Sequence, residues 1–282
     1  MPPRVANPPY FDALLARLEA GDPDTLAAFG RHVHWGYWED PSHATGAADD
    51  YGRAAEKLCL ALLDAADIRD GQRVLDVGCG FGGTIACLNE RNSNLQLTGV
   101  NIDARQLQRA RETVHAANGN SITFIEADAA RLPLDDETFE AVLAVECVFH
   151  FDRPRFFAEA SRVLRQGGAL TLSDFVPTPR AVEYLAGLGA GEDDAIRWTY
   201  GAIDIACSMD RYHELAAANS LKLVAARDIT ANTLPTYDFL NRSVQAWTDA
   251  ESIAKFTRAT GLLAKASRRG LIGYQILIFQ KN

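Results

Sequence analysis

The chain has 282 residues, a hydrophobic fraction of 48% and a formal net charge of −9 at pH 7. That length and composition fit one sizeable α/β domain, or such a domain with a cap, around a substantial core. An acidic chain of pI near 5.2 argues against a nucleic-acid partner, because phosphate contacts need a basic surface.

The five cysteines, Cys59, Cys79, Cys87, Cys147 and Cys207, are odd in number and scattered, with no C-x-x-C pair. They point to a reducing compartment and to neither a zinc site nor a disulfide framework. No apolar signal core opens the chain and no run reaches membrane-spanning length, so a cytoplasmic protein is expected. Composition leaves a homo-oligomer open.

In chain order, Tyr10 to Ala20 carries helical spacing (Phe11, Leu14, Leu15, Leu18), with Gly21 and Pro23 as its stop. A glycine-containing loop then gathers Trp35, Tyr37 and Trp38 beside His32 and His34, and from Asp49 an amphipathic helix leads to the first strand. Residues 73–84, RVLDVGCGFGGT, read as a buried strand, a turn with Gly78, Gly80, Gly82 and Gly83, and the start of a helix. Such a turn lets a nucleotide-like ligand approach backbone closely. Gly78, Gly80 and Gly83 satisfy the dinucleotide pattern G-x-G-x-x-G, but Asp76 decides against it. A carboxylate in the crevice suits ammonium or hydroxyl donors and suits a pyrophosphate badly, so an NAD-dependent oxidoreductase is disfavoured.

This hydrophobic strand followed by D-x-G-x-G resembles the opening motif of class I S-adenosylmethionine (SAM) methyltransferases. The resemblance implies an α/β, Rossmann-like fold: a mostly parallel seven-stranded sheet with an antiparallel C-terminal edge strand. It implies SAM as cofactor, S-adenosylhomocysteine (SAH) as product and a small-molecule acceptor. The chain then divides into an N-terminal helical lid (1–70), a SAM-binding core (71–176), a helical cap (177–220) and a C-terminal completion of the sheet (221–282). Asp76, Gly78 and Gly80 would hold the cofactor's amino-acid tail, and Tyr37 of HWGYW would contact it from the lid.

The second strand, 95–102, ends at Asn101 and Ile102, where the family usually places an acidic residue on the ribose; Asn101 departs from that, with Gln106 nearby to assist. Asp103 reads as the N-cap of the next helix. After the third strand, 121–126, Asp128 and the N–H of Ala129 are expected to meet adenine.

The fourth strand, 140–145, runs into Glu146 and His150, and the fifth, 169–175, ends at Asp174. Strand ends in such a sheet face the ligand crevice. The segments ECVFHFD and LSDFVP resemble those of sugar and natural-product O-methyltransferases, the family of the rebeccamycin sugar O-methyltransferase. On that likeness His150 is the expected general base and Asp174 its orienting partner, with Glu146 a third catalytic candidate; Phe149 and Cys147 replace the family's histidine and serine. The implied reaction is methylation of a hydroxyl on a small, partly apolar metabolite of secondary metabolism. Carbon methylation of an aromatic or isoprenoid acceptor stays open, with Glu146 or His150 taking the proton. No histidine pair has metal-ligand spacing, and no metal is expected. A sixth strand (221–230), a long helix (241–269) and a closing strand (273–280) complete the reading.

Overall fold

The computed structural model describes residues 9–187, 190–201 and 207–282. Residues 188–189 and 202–206 of the expected cap, and the first eight residues, lie outside them.

The strands are β1 (Arg73–Val77), β2 (Gln96–Asn101), β3 (Ser121–Glu126), β4 (Phe139–Val145), β5 (Leu164–Pro177), β6 (Leu221–Asp228) and β7 (Ile272–Lys281). They form one sheet in the order β3-β2-β1-β4-β5-β7-β6. β7 is the antiparallel strand; it lies between β5 and β6, so the antiparallel pair closes the sheet with β6 outermost. The strand order reverses at β1, which pairs in parallel with both β2 and β4. Such a switch point opens a crevice beyond the carboxyl ends of the strands.

The core follows the two-residue period of the strands. Ala141, Leu143 and Val145 of β4 join the cluster on one face, while Val142 and Ala144 join the other. The first face is covered by α3 (Ala48–Ala66) and α4 (Gly83–Arg91), with Leu58, Leu62 and Leu88 buried. The second is covered by α6 (Arg153–Val163) and α9 (Met209–Ala218), through Phe156, Phe157 and Tyr212. α9 packs on β6 and α6, which makes it a crossover helix of the sheet although the sequence reading puts it in the cap. α5 (Ala104–Thr113) follows β2, and Asp103 caps it by accepting from the Arg105 N–H.

Three additions rise above the strand ends. α1 (Pro9–Glu19) and α2 (Pro23–Phe29) precede α3. α2 is unforeseen because Gly21-Asp22-Pro23 reads as a stop; the same residues start α2, with Asp22 as N-cap and Pro23 at its first turn. α7 (Pro179–Ala186) and α8 (Ala190–Tyr200) follow β5. α10 (Thr230–Thr233), α11 (Pro235–Ser243) and α12 (Ala250–Arg268) lie between β6 and β7, and α8 packs along α12 through Ala195, Ile196 and Ala259. The expected single helix over 241–269 is broken by the short turn around Val244–Ala246. Arg268, near the end of α12 beside Lys265 and Arg269, pairs with Asp238 at 2.8 Å. Among the described residues, no helix is long and apolar enough to cross a membrane.

Candidate active site

β1 is short, β-branched and buried from Val74 onward, and it delivers Asp76 to the crevice beside Gly99 of β2 and Leu143 of β4. The chain then turns through Gly78 at φ +78°, where a Cβ would also come within 2.7 Å of Cys147 Sγ. Only glycine satisfies both demands. Asp76 is 1% exposed, and its Oδ2 is shut off from solvent with no hydrogen-bond partner among the described residues. Burial pushes its carboxyl up to about 7, while the charge on His32 pulls the other way. A buried, unpartnered carboxylate is costly unless a donor or cation completes it, so the cradle fits the ammonium of an amino-acid tail.

The next strand ends supply the rest of the rim. Asn101 turns its amide to Gln106 Oε1 at 2.9 Å and accepts from the Ile102 N–H. Ile102, although large and apolar, is 51% exposed, which suits a flat ligand lying on it. Asp128, after β3, is exposed and accepts from the Ala130 N–H at 2.8 Å; Ala129 is buried beside it. The structure therefore gathers Asp76, Gly78, Gly80, Asn101, Ile102, Gln106, Asp128 and Ala129 at the carboxyl ends of three adjacent strands, β1, β2 and β3.

Tyr37 is a correction. Its hydroxyl accepts from Arg227 at 2.8 Å, and the guanidinium lies over its ring. Arg227 belongs to β6, four strands from β1, or roughly 19 Å at the usual strand spacing. The Tyr37 hydroxyl is thus bonded at the far edge of the sheet, and Trp38 is likewise buried in the core. The cover over the glycine loop comes from residues 31–33. A Cβ at Gly83 would meet His32 Nδ1 at 2.4 Å and the Arg31 carbonyl oxygen at 2.6 Å, and one at Gly80 would meet Val33. α1 adds a second cover: Phe11, Leu14, Leu15 and Leu18 pack on Phe81, and Asp12 pairs with Arg105 of α5 at 2.8 Å.

Beside this cradle lies a cavity of about 490 Å³ between α1, α2 and the α11–α12 segment. Aromatic rings dominate its wall: Tyr10, Phe29, Trp35, Phe149, Phe175 and Phe256. Two carboxylates line it, Asp24 of α2 and Glu146 at the end of β4, of which Glu146 lies against the sheet. Its backbone is held at φ +50°, a conformation that costs a non-glycine residue on the order of 1–3 kcal/mol and is found where the surroundings impose it. Glu146 Oε2 accepts from the Tyr274 hydroxyl and from the Trp35 N–H at 3.0 Å, while Oε1 takes none of the described hydrogen bonds. Burial raises its carboxyl to about 8 against the lowering pull of those two bonds. Tyr274 is missed from sequence because its contact with Glu146 exists only once β7 lies beside β5; nothing in GYQILIFQ marks it.

The expected His150–Asp174 pair does not form. Asp174 is wholly buried, with Oδ2 held by Arg153 at 2.8 Å and by the Tyr212 hydroxyl, and Oδ1 by the Phe175 N–H. Among the described residues no hydrogen bond joins it to His150. The reason is electrostatic: a buried carboxylate takes a guanidinium within reach, here that of Arg153. His150 sits in a short turn after β4, its ring 4.1 Å from that of Phe149 and tilted 48° to it.

Comparison with known proteins agrees with this geometry. The family described as "Methyltransferase domain" matches residues 75–172. Methyltransferase GfsG of Streptomyces halstedii is 32% identical over 74% of this chain and 73% of its own. The 27-O-demethylrifamycin SV methyltransferase of Amycolatopsis mediterranei is 30% identical over 90% of this chain and 91% of its own. Among solved structures, geranyl diphosphate C-methyltransferase from Streptomyces coelicolor, in complex with Mg2+, geranyl diphosphate and SAH, shares the fold. It superposes with a TM-score of 0.69 at 21% identity, over 97% of this chain and 98% of that one. With a SAM-type cradle in place and two such relatives matched along most of their length, the chain belongs to the class I SAM-dependent methyltransferases that act on small molecules.

Proposed function

We propose that this enzyme methylates a hydroxyl of a small, largely apolar metabolite bound in the aromatic cavity, with Glu146 taking the hydroxyl proton. The observation that carries the reading is the placement of Glu146: a buried carboxylate, open at Oε1, on the floor of a chamber walled mainly by aromatic rings beside the cofactor cradle. When bound, SAM supplies a methyl group already activated on a sulfonium. The chain's own work is alignment, exclusion of water and removal of a proton. Asp76 holds the ammonium, Asn101 and Gln106 the ribose, and Ile102, Asp128 and Ala129 the adenine. α1 and residues 31–33 close over the cradle, and Trp35 carries the closure across to Glu146.

Oxygen as the acceptor atom agrees with the 27-O-demethylrifamycin methyltransferase among the relatives. A diphosphate-bearing acceptor is disfavoured by the largely aromatic wall: of its two arginines, Arg17 and Arg242, the first already pairs with Asp22 at 2.9 Å, and the carboxylates Asp24 and Glu146 also line the cavity. The test is incubation with methyl-labelled SAM and a panel of phenols, glycosides and polyketides. The proposal expects O-methylated products; label found only on carbon would replace it with the C-methylation reading.

His150 remains the family-based rival for the proton. As base, it would lose two to four decades of turnover when changed to alanine. The present reading expects His150→Ala to stay within about tenfold of the parent rate with SAH affinity intact. For the ribose, Asn101→Asp is expected to bind SAH equally or up to about fivefold tighter, a charged acceptor being worth about 1 kcal/mol more than a neutral one. A severe loss by calorimetry would remove Asn101 from the cofactor site.

A further inference from the structure

Behind the glycine loop, three elements bring together side chains that neither the fold nor the proposed chemistry uses. His32 lies in the segment that covers the loop, Glu56 and Cys59 are three residues apart on one face of α3, and Cys87 is on α4. Cys59 Sγ and Cys87 Sγ are 3.5 Å apart, and Cys87 Sγ is 3.9 Å from His32 Nε2. Glu56 reaches Cys87 with Oε1 at 3.1 Å and His32 Nε2 with Oε2 at 2.8 Å. The histidine and both cysteines are buried, with their donor atoms all within 4.8 Å of one another.

Hydrogen bonding fixes which imidazole atom faces this cluster. His34 Nδ1 lies 3.0 Å from the Trp35 carbonyl oxygen, so it carries the proton. His34 Nε2 is therefore a lone pair, and His32 Nδ1, 3.1 Å away, must donate to it. That leaves His32 Nε2 as the atom directed at a carboxylate oxygen and two sulfurs, none of which is a strong donor. With a proton on Nε2 the ring pairs with Glu56 Oε2; with that proton displaced, the same nitrogen, oxygen and sulfurs converge as donors on one point.

We propose that His32, Cys59 and Cys87 form a site for one zinc-class divalent cation, with Glu56, already bonded to Cys87 and His32, moving in as the fourth donor on binding. Nitrogen, oxygen and two sulfurs make a set that zinc accepts in tetrahedral geometry. Zinc–sulfur bonds of about 2.3 Å and zinc–nitrogen bonds of about 2.0 Å place neighbouring donors roughly 3.5–3.8 Å apart. The Cys59–Cys87 and Cys87–His32 separations of 3.5 and 3.9 Å bracket that range. The His32-to-His34 hydrogen bond is the outer support that orients a ligating imidazole. Charge also balances: two thiolates, one carboxylate and a dication leave one negative charge, and Arg31 lies 3.3 Å from both Cys87 Sγ and Glu56 Oε2. Glu56, whose side chain is 31% exposed, offers the way in. With four protein donors the site has no open position, so its work is structural. It pins residues 31–33, which cover Gly80 and Gly83, to the helices behind the cradle.

The test uses the 282-residue chain, kept reduced, stripped by a chelator and titrated with Zn2+ or Co2+. The expected results are one zinc per chain by elemental analysis, a higher Tm with zinc, and the intense thiolate-to-cobalt absorption of a tetrahedral site. Cys59→Ser and Cys87→Ser should each abolish that absorption. Absence of both metal uptake and thiolate–cobalt bands in the reduced parent protein would overturn the site, and so would uptake unchanged in the Cys59→Ser, Cys87→Ser double variant. The parent's cobalt spectrum decides even where a variant fails to fold.

Discussion

Glu146→Gln is expected to lose methyl transfer by about two to four decades, the usual worth of a positioned base, while SAH affinity measured by calorimetry stays within a few-fold. The amide keeps the side chain's size, so the loss reports the missing proton acceptor. The pH profile gives an independent reading. A base must be ionised, and the Glu146 carboxyl titrates near 8; kcat/KM therefore rises with pH through about 8 and levels off above it. Tyr274 donates to this carboxylate and so favours its charged form. Tyr274→Phe should move the midpoint further up. A histidine acting as base would instead place the midpoint nearer the ordinary imidazole value of about 6.5, and Tyr274→Phe would leave that midpoint where it was.

Asp76→Ala is expected to weaken SAH binding by roughly ten- to hundredfold, since hydrogen bonds to a charged group contribute about 1.5–3 kcal/mol. Affinity should also depend on pH. The ammonium binds the ionised carboxylate, and in the free protein that carboxyl is raised to about 7. Below this value the ionised fraction falls tenfold per pH unit, so SAH affinity falls with it; above it, affinity is flat. Calorimetry in buffers of different ionisation enthalpy should find close to one proton released per SAH at pH 6 and close to none at pH 8.5. Asp76→Ala removes that difference. Equal proton release in parent and variant would assign the linkage to another group.

These two residues mark how far sequence can carry the argument. Asp76 is legible because its chemistry is local: a buried strand, a glycine turn and a helix start fix where its carboxyl goes. The rims of β2 and β3 follow for the same reason, and strand–helix alternation makes the mostly parallel sheet legible. Glu146 sits where the reading puts it, at the end of β4, yet its importance rests on Tyr274 and Trp35, which are 128 and 111 residues away. The His150–Asp174 expectation fails on similar ground. Arg153 and Tyr212 claim the aspartate through contacts that no spacing rule reveals. Tyr37 goes astray because an aromatic cluster in a loop can equally plug a core or cover a ligand, and here Arg227 and the core take it. The scattered cysteines are the plainest case. Cys59 and Cys87 share no motif, and only the packing of α3 against α4 brings them within 3.5 Å.

The lid and the acceptor chamber are joined through one short segment. Residues 31–33 lie on the glycine loop, and two residues later the Trp35 N–H holds Glu146. Filling the cradle should therefore settle the same strand of backbone that positions the base. A crystal structure with SAH bound tests the central assignment most directly. The account predicts the ligand's ammonium within hydrogen-bonding distance of Asp76, its adenine against Ile102 and its sulfur directed toward the cavity floored by Glu146. A ligand bound elsewhere, or Asp76 still without a partner beside an occupied cradle, would contradict it.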